Sequence, residues 1–396
     1  MTTTKTTQSF RRAAVAALVA GGLTAAGTAQ AGPGFQHGEQ GFLQLNYALQ
    51  IWAQNRGYTS TNDDGDTMDT FLRRNRITFQ GQFSDYVGFY AQLEAGNDSK
   101  GGNNEKSVYY RDAYLTLDYS DPVRFIVGRF KNTFSRENLE ACLEPLTLDR
   151  SENIAYTPFG GTRDTGLAMW GNLADAMFQY RLMVSDGREG EETVSDQPRF
   201  TARAHVSLLD PEYSYGYRGT YMGTQSVLTI GAAYDQQADV AYEVYDPNTN
   251  TGYGAADYSA TTVDVYYEQP FGFGTITLSG AVMDYTVDDA FEANPDSRLT
   301  PWAEREGNYV KAGYMLPGTV GMGRLQLFGR SETVEYGEGA GLSDYDWTSA
   351  GANYYIDGQR LKVTLEHAEV EYDEESESNP AFQDYGQTTL GLQMQF

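Results

Sequence analysis

The sequence predicts an all-β fold, a transmembrane antiparallel β-barrel of about 16 strands with a long loop folded inward. Three observations support this fold class. Segments of roughly ten residues alternate apolar and polar side chains along most of the chain. Short turns alternate with long polar connections between these segments. After residue 31 no window of about 18 apolar residues offers a membrane-spanning helix.

The N-terminal segment, residues 1–31, has the order of regions found in secretory signal peptides. Lys5, Arg11 and Arg12 precede an Ala/Val/Leu run, which ends in small residues at Ala29 and Ala31. Signal peptidases cleave after such small residues, and the segment is absent from the mature protein. We therefore predict a signal peptide at 1–31 and one exported barrel domain at 32–396.

Composition excludes several classes of partner and cofactor. A net charge of −26 opposes nucleic-acid binding, because phosphate backbones repel an acidic protein. A single cysteine cannot form an internal disulfide, and the chain has no C-x-x-C-H haem motif. The run from Asn62 to Asp66 is acidic but lacks the spacing and downstream glutamate of a calcium loop. We expect no cofactor and no metal site.

The period of two is present from the first strand to the last. Residues 43–51 carry apolar side chains at every odd position, and the final run places Leu390, Leu392, Met394 and Phe396 on one face. Apolar and polar faces of this kind predict lipid outside the barrel and water inside it. A soluble β-sandwich also alternates, but its connections are not systematically unequal.

The unequal connections set the strand count. Long polar segments lie near residues 55–69, 97–106, 132–163, 186–197, 236–257, 286–305, 334–345 and 372–384. Eight external loops imply about sixteen strands, an even number that returns both termini to the periplasmic side. One connection on the short side, 209–224, is longer than a turn.

The segment of about thirty residues from 132 to 163 has no strand pattern of its own. It holds too many apolar residues for a solvated tail, among them Phe134, Leu139, Cys142 and Leu148. A barrel of about 16 strands leaves a water-filled lumen. We predict that this loop folds into the lumen and constricts it.

Several motifs together resemble one known family. FLRRNRITFQGQF, RDAYLTLDYSDPVRFIVGRFKNTFSREN, GNYVKAGYMLP, GANYYIDGQRLKV and the terminal LGLQMQF are similar to the phosphate-selective porin O and P family of bacterial outer membranes. The resemblance implies a trimer of sixteen-stranded barrels whose channels are lined by basic residues. It points to Arg74, Arg76, Arg129 and Lys131 as lining residues, and Phe396 resembles the terminal aromatic that the insertion machinery recognises.

Alternation alone adds further inward-facing basic residues. They are Arg181, Arg199, Arg203, Lys311, Arg330 and Lys362. Positive charge along a narrow passage raises the local concentration of anions and lowers their barrier to entry. Arg73 falls on the opposite face and is expected near the lipid headgroups, and the faces around Arg129 are ambiguous because a bulge would reverse them.

Acidic residues leave the charge selectivity open. The loop carries Glu137, Glu140 and Glu144, and the outermost segments are richer still in acid. Acid on the loop opposite base on the wall is the layout of a general or weakly cation-selective diffusion porin. The outer acids also suit bridging to lipopolysaccharide through divalent cations.

The function predicted from the sequence is an outer-membrane porin for passive diffusion of small anions or oxyanions in a Gram-negative bacterium. Its expected partners are membrane lipid, lipopolysaccharide, small anionic solutes and two further copies of the chain. A barrel that sheathes a partner protein is a further alternative. A lipid-facing hydrolase would have to use His367, since His205 is on the polar face and His37 precedes the first strand, so we expect no enzyme.

Overall fold

The structure is a computed structural model that describes most of the chain after residue 31. The described residues are 32–38, 41–57, 66–95, 107–152, 159, 161–190, 193–246, 248–288, 290, 299, 303–337, 341–373 and 382–396. The predicted signal peptide lies outside them, as does much of the external acid. Asn62 to Gly65, for example, is not described.

Nineteen strands and one short helix are present within the described residues. The strands are β1 Gly34–His37, β2 Gly41–Arg56, β3 Thr67–Gln82, β4 Val87–Glu94, β5 Tyr109–Ser120, β6 Val123–Lys131, β7 Arg163–Leu173, β8 Phe178–Ser185, β9 Arg199–Ser207, β10 Val227–Ala241, β11 Val244–Asp246, β12 Thr251–Tyr253, β13 Ala256–Phe271, β14 Gly274–Val287, β15 Arg305–Met315, β16 Arg324–Tyr336, β17 Tyr345–Asp357, β18 Leu361–Tyr372 and β19 Tyr385–Gln395. Helix α1, Arg136–Leu139, follows β6 and is capped by the Ser135 hydroxyl, which accepts from the Asn138 backbone N–H.

Sixteen of these strands form a closed antiparallel barrel. Each pairs with its neighbours in chain order, and β19 closes the ring by pairing with β2, where Gln393 lies opposite Gln50. Strand β1 pairs with the first residues of β2, and β11 and β12 make a small hairpin in the connection after β10. The predicted sixteen-stranded barrel is confirmed.

The connections alternate in length as the sequence predicts. Each of the eight long segments falls between two barrel strands at one end of the barrel. The opposite end has short turns, such as Asp121-Pro122 between β5 and β6. The exception is the connection from β9 to β10, residues 208–226, which we call the short-end segment.

Alternating burial separates the two faces of each strand. In β15, Val310 is 60% exposed, whereas its neighbour Lys311 is 1% exposed. The exposed positions carry the apolar residues, and the buried positions carry most of the charged ones, which is the reverse of a soluble protein. No helix within the described residues is both long and apolar enough to span a bilayer.

Candidate functional site

The loop after β6 contacts strands that are far from it around the barrel. The Asn353 side chain of β17 donates to the Leu146 carbonyl at 2.8 Å. The Leu148 backbone N–H donates to the Glu366 carboxylate of β18 at 3.1 Å, and Gln393 of β19 donates to the Leu143 carbonyl at 2.9 Å. Residues 143–148 therefore lie against the inner faces of β17 to β19.

The short-end segment meets this loop from the other end of the barrel. The Ala141 backbone N–H donates to the Tyr217 carbonyl at 2.9 Å, and the Gly219 N–H donates to the Glu144 carbonyl at 3.1 Å. A Cβ at Gly219 would lie 2.4 Å from the Leu146 nitrogen, so the close approach requires glycine. The two segments thus pair through their backbones.

A buried ion pair joins the same two segments. The Arg136 guanidinium of α1 donates to both carboxylate oxygens of Glu212, at 2.7 and 2.8 Å. It lies 4.4 Å from the Tyr217 ring centre and 4.0 Å from that of Tyr266. Burial acts to raise the pKa of the Glu212 carboxyl, but Arg136 and the Tyr221 hydroxyl hold it well below its usual value. This bidentate geometry is the strong form of such a pair.

The Tyr217 hydroxyl connects the short-end segment to the barrel wall. It accepts hydrogen bonds from Arg181 at 2.8 Å and from Arg203 at 3.3 Å. His205 Nδ1 lies 2.6 Å from the same oxygen. The segment is therefore held from both sides, by the loop and by β8 and β9.

A cavity of about 320 Å³ lies between the inner face of β3 to β7, the loop after β6 and the short-end segment. Its lining includes four basic side chains, Arg76, Lys131, Arg163 and Arg218. Two carboxylates, Asp112 and Glu144, also line it. The cavity brings charged groups from the wall, the loop and the short-end segment into one space.

Most of the cavity's basic side chains are paired with carboxylates. Arg76 contacts Glu94 at 2.8 Å, Arg163 contacts Asp112 at 3.2 Å, and Arg218 contacts Glu144 at 3.2 Å. Lys131 instead donates to the backbone carbonyl of Glu140 at 2.5 Å. Within the described residues, its ammonium contacts this carbonyl and forms no ion pair with a carboxylate.

Cys142 lies in the loop and lines the same cavity. Arg76 Nη1 is 2.7 Å from its sulfur. Burial acts to raise the pKa of the thiol, but the surrounding cations, Arg76 first and then Arg74, Arg150 and Lys131, lower it well below its ordinary value. A thiolate in a cationic setting is the reactive form of cysteine.

The predicted basic residues on β3 lie on the inner face. Arg74 is 2% exposed and donates to Asp149 of the loop at 2.8 Å and to Gln50 of β2 at 2.5 Å. Arg76 contacts Glu94 and Cys142, as described above. Both guanidinium groups are thus inside the barrel and paired with anionic partners.

The prediction for Arg73 is wrong. Its side chain is 16% exposed and contacts Asp149 of the loop at 2.5 Å, instead of facing the headgroups. The register explains this difference, since Gln50 lies opposite Arg74 while Ile51 lies opposite Leu72. Arg73 is the extra residue of a β-bulge, which shifts the alternation by one position.

The prediction for Arg129 is also wrong. It is exposed, and it shares the outer face of β6 with Val127, while Ile126 and Phe130 are buried inside. The strand keeps its alternation as far as Phe130, so Arg129 points away from the lumen. Arg129 is therefore not a channel-lining residue.

Three predicted residues on other strands form ion pairs inside the barrel. Arg199 contacts Asp164 at 3.4 Å and also pairs with Asp235. Arg203 contacts Asp264 at 2.6 Å, and Lys311 pairs with Glu137 of α1.

The three remaining predicted basic residues form no ion pair with a carboxylate among the described residues. Arg181 donates to the Tyr217 hydroxyl and to the Tyr215 carbonyl at 2.7 Å. Arg330 donates to the Arg150 carbonyl at 3.0 Å. The Lys362 ammonium is buried without a hydrogen-bond partner among the described residues.

The predicted loop acids differ in their surroundings. Glu137 pairs with Lys311 and also accepts from the Ser151 backbone N–H at 2.5 Å. Glu144 pairs with Arg218. Burial, followed by the neighbouring Glu137, raises the pKa of the Glu140 carboxyl to about 8. At neutral pH the Glu140 side chain is therefore largely uncharged.

The sequence reasoning missed the short-end segment as part of the site. Glu212, Tyr215, Tyr217 and Arg218 contact the loop or line the cavity. The one available signal was the length of this connection, which exceeds that of a turn. In the part of the chain that the structure describes, no group of three or more His, Cys, Asp or Glu side chains is arranged to hold a metal.

Several solved porin structures are similar to this barrel. An anion-selective porin from Comamonas acidovorans has a TM-score of 0.57 at 11% identity, covering 90% of this chain and 100% of that one. OmpF of Salmonella typhi, in complex with daunomycin, has a TM-score of 0.58 at 15% identity, covering 91% and 99%. The trimer form of OmpT from Vibrio cholerae has a TM-score of 0.53 at 11% identity, covering 90% and 100%. At these identities the likeness establishes the fold.

A search of curated proteins found no match. The family model for phosphate-selective porin O and P, in contrast, matches residues 45–396, nearly the whole chain. The chain therefore belongs to the phosphate-selective porin O and P family and is an outer-membrane porin.

Proposed function

We propose that this porin conducts small anions and oxyanions by passive diffusion through the cavity beside β3 to β7. The observation that carries the proposal is the lining, where four basic side chains face two carboxylates. Charges at close range in a narrow, poorly screened space act several-fold more strongly than the same charges in open water. Arg76 shares Glu94 with Arg111 and also contacts the Cys142 sulfur, so these two cations and two anions balance. Lys131 forms no ion pair with a carboxylate among the described residues and supplies the excess.

The constriction is part of this proposal. The described part of the loop predicted at 132–163 and the short-end segment narrow the lumen from opposite ends and leave the cavity as the passage. Their mutual contacts, through Tyr217 and the Arg136–Glu212 pair, support this arrangement. We further propose export through residues 1–31 and assembly as a homotrimer in contact with lipid and lipopolysaccharide, as the trimeric OmpT structure suggests by analogy.

A specific observation favours a second candidate, a general diffusion porin with weak selectivity. Carboxylates of the loop pair with cations on the wall, as in Glu137 with Lys311 and Asp149 with Arg74. Such pairs cancel much of the charge that a passing ion would meet. The sign of the remaining charge then decides the selectivity.

The test is the reversal potential of reconstituted channels across a potassium chloride gradient. Anion conduction predicts an anion-selective wild type and a shift toward cations in Lys131→Glu. Arg360→Glu is the matched control, because Arg360 is 31% exposed and pairs with Asp357 in a short turn. Water and salt screen a charge at the rim, so its effect is smaller. A wild-type channel that prefers cations at high salt would contradict the anion proposal and support the general-porin alternative.

A further inference from the structure

The cavity has an aromatic wall in addition to its charges. Tyr90 and Tyr114 are stacked, with ring centres 5.1 Å apart and planes at 13°. The Phe130 ring lies edge-on to Tyr114 at 6.0 Å and to Tyr215 at 6.4 Å. These four rings line the cavity together with its basic side chains. A continuous aromatic surface contributes nothing to the binding of a fully hydrated inorganic ion.

The charge available to a ligand in this space is small. Three of the four lining cations already face a carboxylate, and Lys131 is the one held by a carbonyl. The negative sulfur of Cys142 is matched by Arg76, because Glu94, the carboxylate partner of Arg76, is shared with Arg111. A compact dianion would lose its hydration without meeting an equal positive charge. A single negative charge, in contrast, matches the excess at Lys131.

Lys131 also lies beside the rings. Both Lys131 and Phe130 line the cavity, and the Lys131 backbone carbonyl accepts from the Tyr215 hydroxyl at 3.4 Å. One ligand can therefore reach the ammonium with an anionic group while its body contacts Phe130, Tyr215 and Tyr114. Ligand sites commonly combine an apolar, aromatic lining with a few placed polar groups.

We propose that this cavity is a binding subsite for monocarboxylates that carry one flat ring, with the carboxylate on Lys131 and the ring against the aromatic wall. This inference rests on the proposed anion channel and names a class of solute for it. The volume of about 320 Å³ is at the lower end of the range for small-molecule sites, which suits a single ring. Ring-to-ring contact adds to the area that the ligand buries.

The test is concentration-dependent block of chloride current through single reconstituted channels, with benzoate, acetate and inorganic phosphate as the probes at neutral pH. Benzoate and acetate share the carboxylate and differ in the ring. We expect benzoate to bind about tenfold more tightly than acetate, a difference typical of one aromatic contact plus its buried area. Phosphate should bind more weakly than benzoate.

Variants separate the two halves of the subsite. Tyr215→Leu should remove most of the preference for benzoate over acetate, whereas Tyr215→Phe should keep it. Lys131→Gln should weaken both carboxylates. Tyr119→Leu is the control, since Tyr119 is 77% exposed and does not line the cavity.

The outcomes distinguish this inference from the proposed function. The reversal potential, recorded in the same membranes, reports charge selectivity independently of any block. An anion-selective channel that binds benzoate no more tightly than acetate, or phosphate more tightly than benzoate, would overturn the subsite and leave the anion channel intact. A cation-selective channel would overturn the proposed function itself.

Discussion

Removing the carboxylate of Glu212 should release the loop from the short-end segment. Arg136 is fully buried, and both of its bonds to Glu212 would be lost or weakened in Glu212→Gln. Leaving one partner of a buried pair uncompensated costs about 3–5 kcal/mol. Since 1.4 kcal/mol corresponds to a tenfold change in an equilibrium constant, the constant for separating the two segments should shift by roughly two to four decades.

Limited trypsin digestion of the folded barrel in detergent measures this release. Arg218 lies in the short-end segment and is largely covered, so the wild-type protein should resist cleavage there, and Glu212→Gln should be cleaved. The double variant Arg136→Gln, Glu212→Gln removes both charges and should regain part of the protection. The control is Asp357→Asn, which removes an exposed pair worth about 1 kcal/mol or less. Equal protection in wild type and Glu212→Gln would refute the reasoning.

Three further predictions test the register, the loop and the charge state of the site. Leu392→Arg should impair assembly, because a lipid-facing arginine costs about 2–4 kcal/mol, whereas Gln393→Arg on the inner face should be tolerated. Heat-modifiable gel mobility compares the two variants, and equal outcomes would contradict the register. Deleting Leu139 to Leu148 should raise single-channel conductance while the barrel stays folded, and unchanged conductance would place the loop outside the passage. Glu140 is neutral below its pKa of about 8 and charged above it, so anion selectivity should fall as pH rises through that value. The reversal potential of Glu140→Gln should not show this change. A pH profile identical to that of the wild type would exclude Glu140 as its source.

The barrel could be predicted because lipid and water impose a period of two on every strand. Leu390 and Leu392 face out and Gln393 faces in for that reason alone, and the unequal connections follow from the two ends of the membrane. Strict alternation fails where a bulge intervenes. Arg73 is the extra residue of a β-bulge between Leu72 and Arg74, and its side chain therefore lies inside the barrel. Nothing in the side chains of these residues indicates the bulge.

The site could be predicted only in part, because its partners are distant in sequence. Alternation along the strands correctly predicts six buried basic residues, but it does not reveal which partner each one contacts. They are Arg181, Arg199, Arg203, Lys311, Arg330 and Lys362. Glu212 lies 76 residues from Arg136, and an isolated glutamate in a long turn has no local pattern that indicates a buried pair. The length of residues 208–226 is visible in the sequence, whereas the pairing of this segment with the loop is not.

The most direct test of the passage uses Cys142, the only cysteine in the chain. Cys142 lines the cavity and its sulfur is 2.7 Å from Arg76 Nη1, so thiol reagents that enter the passage should modify it and reduce the current. The measurement is the ratio of modification rates for an anionic and a cationic methanethiosulfonate, each divided by its rate with a free thiol in solution. The account predicts that this ratio of the anionic to the cationic reagent is several-fold above one. The ratio should be lower in Lys131→Glu. An unreactive Cys142, or a ratio at or below one in the wild type, would contradict it.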